Sequence, residues 1–266
     1  MKAAGIIDQV LESLNVAGIA YTEFNKVLPD PPAEVVDEGA KLCKAEECDC
    51  VIGIGGGSAI DTAKGINILR VNGGSILDYA DPEKEMKKSL GLMSVPTTSG
   101  TGSEMSNGLI ISDTANNSKV AILVVNGMSE FAVIDPAFAA GMPLGLTIMT
   151  GLDVFSHATE GYTSALANPM TDMINRSIMQ TVVECLPHAV ADGTNMENAY
   201  CGFAGRMDVG KFQRSCGTFH RACDRRNVSY STWCMLCLFP SGGTGKNQSC
   251  PAGESKEHRK NFRCVL

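Results

Sequence analysis

Asp153 and His157 stand four residues apart in GLDVFSHATEGY, residues 151–162, a stretch with helical periodicity. Four apart on a helix means one face, so a hard oxygen and a borderline nitrogen can grip one ion together. That donor pair suits Fe2+, Zn2+ or Mn2+ better than Ca2+. The bland alternative is an acid in the first helical turn, where it favours the dipole, beside a satisfied interior histidine. Two further stretches carry binding chemistry. VIGIGGGSAIDTAK sets three glycines and Ser58 between an apolar run and a helical run. Glycine lets backbone approach a phosphate closely, and the free amides of a helix start then hold it. Ser58 can cap that helix or donate to phosphate, and Asp61 is expected in its first turn. A tight turn with an N-cap and no ligand reads equally simply. PTTSGTGSE, residues 96–104, gathers hydroxyls and glycines after another apolar run, where ligands of open α/β sheets bind. There Thr97, Thr98 and Thr101 can reach a pyrophosphate or a nicotinamide ribose; an ordinary polar loop is the plain alternative.

These residues need elements to hold them. Residues 5–17 have helical spacing, IAYTEF is a short strand, and Pro32 opens a helix over EVVDEGAKLCKAEE. CDCVIGIG is a buried strand, and GLIISD, KVAILVV and FAVIDP are three more. Strands alternating with helices predict an α/β domain with a mostly parallel sheet. From Leu144 to Val190 the spacing is helical throughout. The expected organisation is an α/β nucleotide-binding domain over residues 1–143 and the start of an all-α, metal-binding domain over residues 144–198. Residues 199–266 follow as an irregular tail.

The chain has 266 residues, 44% hydrophobic, with a formal net charge of −7. That suffices for a sizeable core and argues against nucleic acid as the main partner. No apolar run is long enough to span a membrane, and the N-terminus carries acids that a signal peptide lacks. A cytoplasmic location is expected. The cysteines divide unevenly, with seven of the 11 in the last 66 residues, which also hold 11 of the 22 Lys and Arg but four acids.

Taken in order, GGGSAIDTAK, PTTSGTGSE and GLDVFSHATEGY resemble the iron-containing (group III) alcohol dehydrogenases. LPDPPAEVVDEG, FAVIDP and GMPLGLTIMTG fit as well, so the resemblance runs from residue 1 to about 198. It implies an NAD(P)-binding α/β domain, a helical metal-binding domain and a substrate cleft between them. It further implies that Gly56, Gly57 and Ser58 hold the pyrophosphate, with Thr97 and Thr98 lining the cofactor site. Lys119, in NNSKVAI, matches a lysine that reaches toward the cofactor. Asp153 and His157 match the first two metal ligands, with Fe2+ or Zn2+ as the ion. The implied reaction is hydride transfer between a small alcohol or aldehyde and nicotinamide, the ion acting as Lewis acid on the substrate oxygen. Family members are often homo-oligomers. A non-redox enzyme resembling dehydroquinate synthase and a non-catalytic nucleotide-binding remnant are the rival readings.

Two departures from the family qualify this. The family's first strand, whose terminal acid helps choose NAD over NADP, is missing, which predicts an exposed sheet edge. The family's remaining metal ligands, two histidines of a later helix and a P-H-G turn, are missing as well; His220 and His258 lie in unrelated surroundings. Reverse translation of the tail, read one nucleotide forward, admits VGHSIAHAIGGM from Cys216 to Asn227 and IPHG from Tyr230. Trp233 followed by a Cys codon forces that Gly, and Met207 followed by an Asp codon forces a Trp upstream. The expectation is a frameshift after about residue 196, with weak or no activity for the chain as written. The competing reading is a zinc module around Cys234 and Cys237, with Cys216, His220, Cys223 and Cys250 nearby.

Overall fold

The structure is a computed structural model that describes residues 5–124, 127–140, 142–192 and 263–265. Its first half is built on CVIGIG, strand β2 (Cys50–Gly55), which is buried along most of its length, as a central parallel strand must be. It pairs in parallel with β3 (Leu92–Pro96), which pairs in turn with the short β6 (Phe131–Ala132). On the other side the order continues through β7 (Arg263–Val265) to β1 (Ala20–Thr22), giving β1-β7-β2-β3-β6. Every pairing in this sheet is parallel.

Three helices flank the sheet: α1 (Ile6–Val16), α2 (Ala33–Ala45) and α3 (Gly57–Asn72). Close packing depends on glycines at the contacts. A Cβ on Gly53 would lie 2.7 Å from the Cβ of Ala63, so α3 sits directly on β2. Gly39 and Gly65 do the same between α2 and α3, where an added Cβ would meet Ile66 at 2.4 Å and Val36 at 2.5 Å. The main core gathers Phe24, Val36, Cys43, Ile66, Ile68, Leu92, Ile111 and Ile122.

Two sequence expectations are corrected here. β4 (Gly108–Asp113) and β5 (Ser118–Leu123) are not strands of the parallel sheet. They form a separate antiparallel hairpin, closed by the short connection Thr114–Asn117, too tight for the crossover that parallel pairing requires. The open edge that the sequence predicts is not found beside β2, where β7 pairs. The place between β1 and β2 lies inside the sheet, and β7 fills it, with Ala20 opposite Arg263 and Cys50 opposite Cys264. The tail is thus strand at residues 263–265 rather than irregular throughout. The other tail expectations, at His220, His258, Cys234 and Cys237, lie outside the described residues.

The second half is a helical hairpin of α4 (Leu144–Tyr162) and α5 (Pro169–Ala191), as the periodicity predicts. Asn168 caps α5, its side-chain oxygen accepting from the amides of Met170 and Thr171, while Pro169 opens the first turn. Val154 and Ala158 of α4 pack on Ile178 and Val182 of α5. Gly151 lets the helices close, since a Cβ there would lie 2.5 Å from Leu186.

Candidate functional site

The glycine turn leaves β2 at Gly55 and enters α3 through Gly56, the N-cap residue, which has no side chain to bond the helix start. The first intrahelical bonds run from Ala59 and Ile60 to the Gly56 carbonyl. The amides of Gly57 and Ser58 precede that ladder and are the ones a helix start offers to an anion. Ser58 is therefore not the cap but the second helical residue. Asp61 also sits deeper than the sequence suggests, past the first turn. Its Oδ2 accepts from the Ile110 amide at 3.0 Å, and Oδ1 lies 3.8 Å from the Lys64 ammonium. It faces the core side of α3 rather than the glycine turn.

Directly above the turn runs the loop 97–107. The Thr97 amide donates to the Gly55 carbonyl at 2.9 Å, continuing the β2–β3 ladder by one rung and fixing where the loop begins. The next hydroxyls then stack on the turn. A Cβ on Gly56 would meet Thr98 Cγ2 at 3.2 Å and Oγ1 at 3.3 Å, and one on Gly57 would meet Thr101 Cγ2 at 2.9 Å. Backbone can approach Thr98 and Thr101 this closely only because no side chain intervenes. The Thr98 Oγ1 is buried and has no hydrogen-bond partner among the described residues. A buried hydroxyl without a partner costs free energy that a bound polar group would recover. The cradle thus fits a dinucleotide phosphate or ribose in both shape and polarity.

The same loop reaches the helical half. Gly100 adopts φ +127°, and a Cβ there would lie 2.4 Å from the Thr150 carbonyl oxygen. Thr150, Asp153 and His157 follow the i, i+3, i+7 spacing of a single helix face. Asp153 is the tenth of the 19 residues of α4, so it cannot serve the N-terminal dipole. Its Oδ1 lies 3.7 Å from the His157 Nδ1, with the imidazole 11% and the carboxylate 43% exposed. One anionic oxygen and one imidazole, half-open on a shared face, fit two ligands of a divalent first-row ion. Among the described residues no group of three or more His, Cys, Asp and Glu stands together as a metal site.

Lys119 lies elsewhere on the surface. From β5 its ammonium bonds the Asp30 carboxylate at 2.7 Å, both side chains being well exposed. The structure therefore brings Gly56, Gly57, Ser58, Thr97, Thr98 and Thr101 together, with the Asp153–His157 face adjoining through Gly100. Asp61 turns into the core, and Lys119 forms a surface pair. Sequence reasoning passed over Lys64, which is fully buried beneath the loop; its place two residues after Thr62 in the helical run AIDTAK gives no sign of which side of α3 it occupies.

An open α/β sheet with a glycine-turn cradle, joined to a helical hairpin, is the class that fold and site define. The chain belongs to the iron-containing alcohol dehydrogenase family. The family model described as "Iron-containing alcohol dehydrogenase" matches residues 1–136, and "Fe-containing alcohol dehydrogenase family, C-terminal" matches residues 147–222. The chain is 39% identical over 200 residues to a choline dehydrogenase of Bacillus subtilis, covering 74% of this chain and 50% of the relative. It is 37% identical over 197 residues to an NAD-dependent methanol dehydrogenase of Bacillus methanolicus, covering 74% and 52%. Among solved structures it is similar to an alcohol dehydrogenase from Oenococcus oeni, with a TM-score of 0.75 and 32% identity over 79% of this chain and 55% of that one. The NADH-dependent butanol dehydrogenase A of Thermotoga maritima also matches, at 0.75 and 25% over 80% and 54%. The chain spans about half the length of the curated relatives it matches. No helix among the described residues is long and apolar enough to cross a membrane.

Proposed function

We propose that the chain derives from a metal-dependent NAD(P) alcohol dehydrogenase and keeps its cofactor cradle together with half of its metal site. The observation that carries this reading is the contact of Gly100 with Thr150, which joins the hydroxyl loop over the glycine turn to the helix face bearing Asp153 and His157. In this reading the amides of Gly57 and Ser58 bind the pyrophosphate. Thr97, Thr98 and Thr101 orient the dinucleotide, with Asp61 holding α3 in place behind them; Lys119, paired with Asp30 on the surface, takes no part in the cradle as it stands. Asp153 and His157 hold the ion, Fe2+ before Zn2+. When bound, the ion supplies Lewis acidity to an alcohol or aldehyde oxygen, while the protein's part is orientation and the exclusion of water. The partner is a small alcohol or aldehyde, in the cytoplasm, with neither nucleic acid nor membrane involved. The dehydrogenase names of the relatives favour this over a non-redox use of the fold.

Among the described residues only Asp153 and His157 serve as ligands in this reading, and two do not make a metal site, so weak or no turnover is expected. Purified chain incubated with Fe2+, NAD+ or NADP+ and a panel of small alcohols is expected to bind nucleotide and give little or no reduction. Robust alcohol-dependent reduction that is lost on chelation would show a complete site instead. Absence of nucleotide binding by calorimetry would defeat the reading altogether.

A further inference from the structure

Lys64 is the largest fully buried side chain among the described residues, and it is a cation. It lies on the core side of α3, two turns after the glycine turn. Its ammonium donates to the Gly108 carbonyl at 2.8 Å and to Ser106 Oγ at 3.2 Å, with Asp61 Oδ1 at 3.8 Å as counter-ion. Ser106 lies at the far end of the loop that carries Thr98 and Thr101, and Gly108 opens β4 directly after it. Asp61 reinforces the attachment, taking the Ile110 amide of β4 on its other oxygen. The near end of the loop is fixed to β2 by the Thr97 amide. The far end runs into the β4–β5 hairpin, where the Asn107 carbonyl accepts from the Val124 amide at 2.9 Å, and Lys64 together with Asp61 ties that end to α3.

Stability alone does not explain a lysine there. Burying an ion pair is costly, and well-packed apolar residues in its place are often neutral or stabilising. A methionine would fill the same volume, but it could not donate to Gly108 and Ser106. We infer that Lys64 is a positioning residue of the dinucleotide site: by bonding the Ser106–Gly108 segment it sets the height of the hydroxyl loop over the glycine turn. This rests on the dinucleotide reading above.

The test is a thermodynamic cycle on NADH and NADPH affinity, measured in the full chain. Lys64→Met alone would strand the buried Asp61 charge, so the reference is Asp61→Asn, which keeps an oxygen for the Ile110 amide. Lys64→Met and Thr98→Ala are then introduced singly and together on that reference. If Lys64 acts through the loop, K64M weakens dinucleotide binding about tenfold or more, and T98A adds little to it, because coupled neighbours are not additive. Unchanged affinity in K64M, or losses from the two that simply add, would overturn the inference while leaving the dinucleotide reading intact. Wild-type chain that binds neither nucleotide overturns both. Melting curves separate loss of fold from loss of affinity. Should the double variant not fold, Ser106→Ala removes one acceptor and keeps the charges. It is then expected to weaken binding and to be non-additive with T98A; additivity there counts against the inference in the same way.

Discussion

Gly100 joins the two halves of the site through a conformation that L-residues avoid. At φ +127°, with a Thr150 carbonyl where its Cβ would be, even alanine is strained and displaced. Such backbone strain costs on the order of 1–3 kcal/mol. Gly100→Ala is therefore expected to lower urea stability by about that amount and to weaken dinucleotide binding as well, since the loop must lift from α4. A second residue-scale effect is the thiol of Cys43, fully buried in the core. Burial first, then the neighbouring Cys48, pushes its pKa from 9.0 up to about 12. The folded value exceeds the unfolded one, so the contribution to stability is complete below the unfolded pKa. It is lost as pH rises toward the folded value, because the unfolded chain ionises first. The urea stability gap between wild type and Cys43→Ala is thus expected to narrow from about pH 8 to about pH 10.5. A gap that stays constant would contradict this sign. At this scale the sequence made the glycines and threonines of the cradle legible, because Gly-rich and hydroxyl-rich turns are local signals. The inward facing of Asp61 and Lys64 was not, since α3 spreads polar and apolar residues evenly around its axis and so hides which face meets β4.

The elements divide by how they are specified. Helices α4 and α5 follow from period and cap, both local. Asn168 accepts from two amides that would otherwise lack partners, and its replacement by alanine is expected to cost about 1 kcal/mol. Thermal melting of Asn168→Ala checks this, with an unchanged midpoint showing that packing against α4 alone holds the helix start. Strands β4 and β5 are a different case. GLIISD and KVAILVV have strand composition, but composition does not encode a partner or a direction. The four-residue connection between them contains the information that they form a hairpin, and alternation of strands and helices elsewhere masks it. β7 was legible in no local way. Arg263–Val265 has its place because β1 and β2 leave backbone groups on both sides of one slot, and an unpaired ladder inside a sheet is costly.

At the scale of the whole molecule, the described residues bring the proposed cradle together and supply two of the proposed metal ligands. The missing ligands are expected from a shifted frame, and the gene decides it. Reading one nucleotide forward after about residue 196 should encode the two histidines over residues 216–227 and a P-H-G turn after Tyr230. A shifted frame without those histidines would sink this explanation, and zinc retained by residues 199–266 would favour a cysteine module instead. What the sequence by itself determined is the family, the order of helices and strands, the glycine cradle and the Asp153–His157 pair. Each of these is written in neighbours a few residues apart, where period, turn chemistry and helix face are fixed locally. Only the tertiary structure decided that β7 closes the sheet, that β4 and β5 stand apart from it, that Asp61 and Lys64 turn inward, and that Gly100 couples cradle to metal face. Those outcomes join residues tens to hundreds of positions apart, and packing complementarity at that distance leaves no mark in a local pattern.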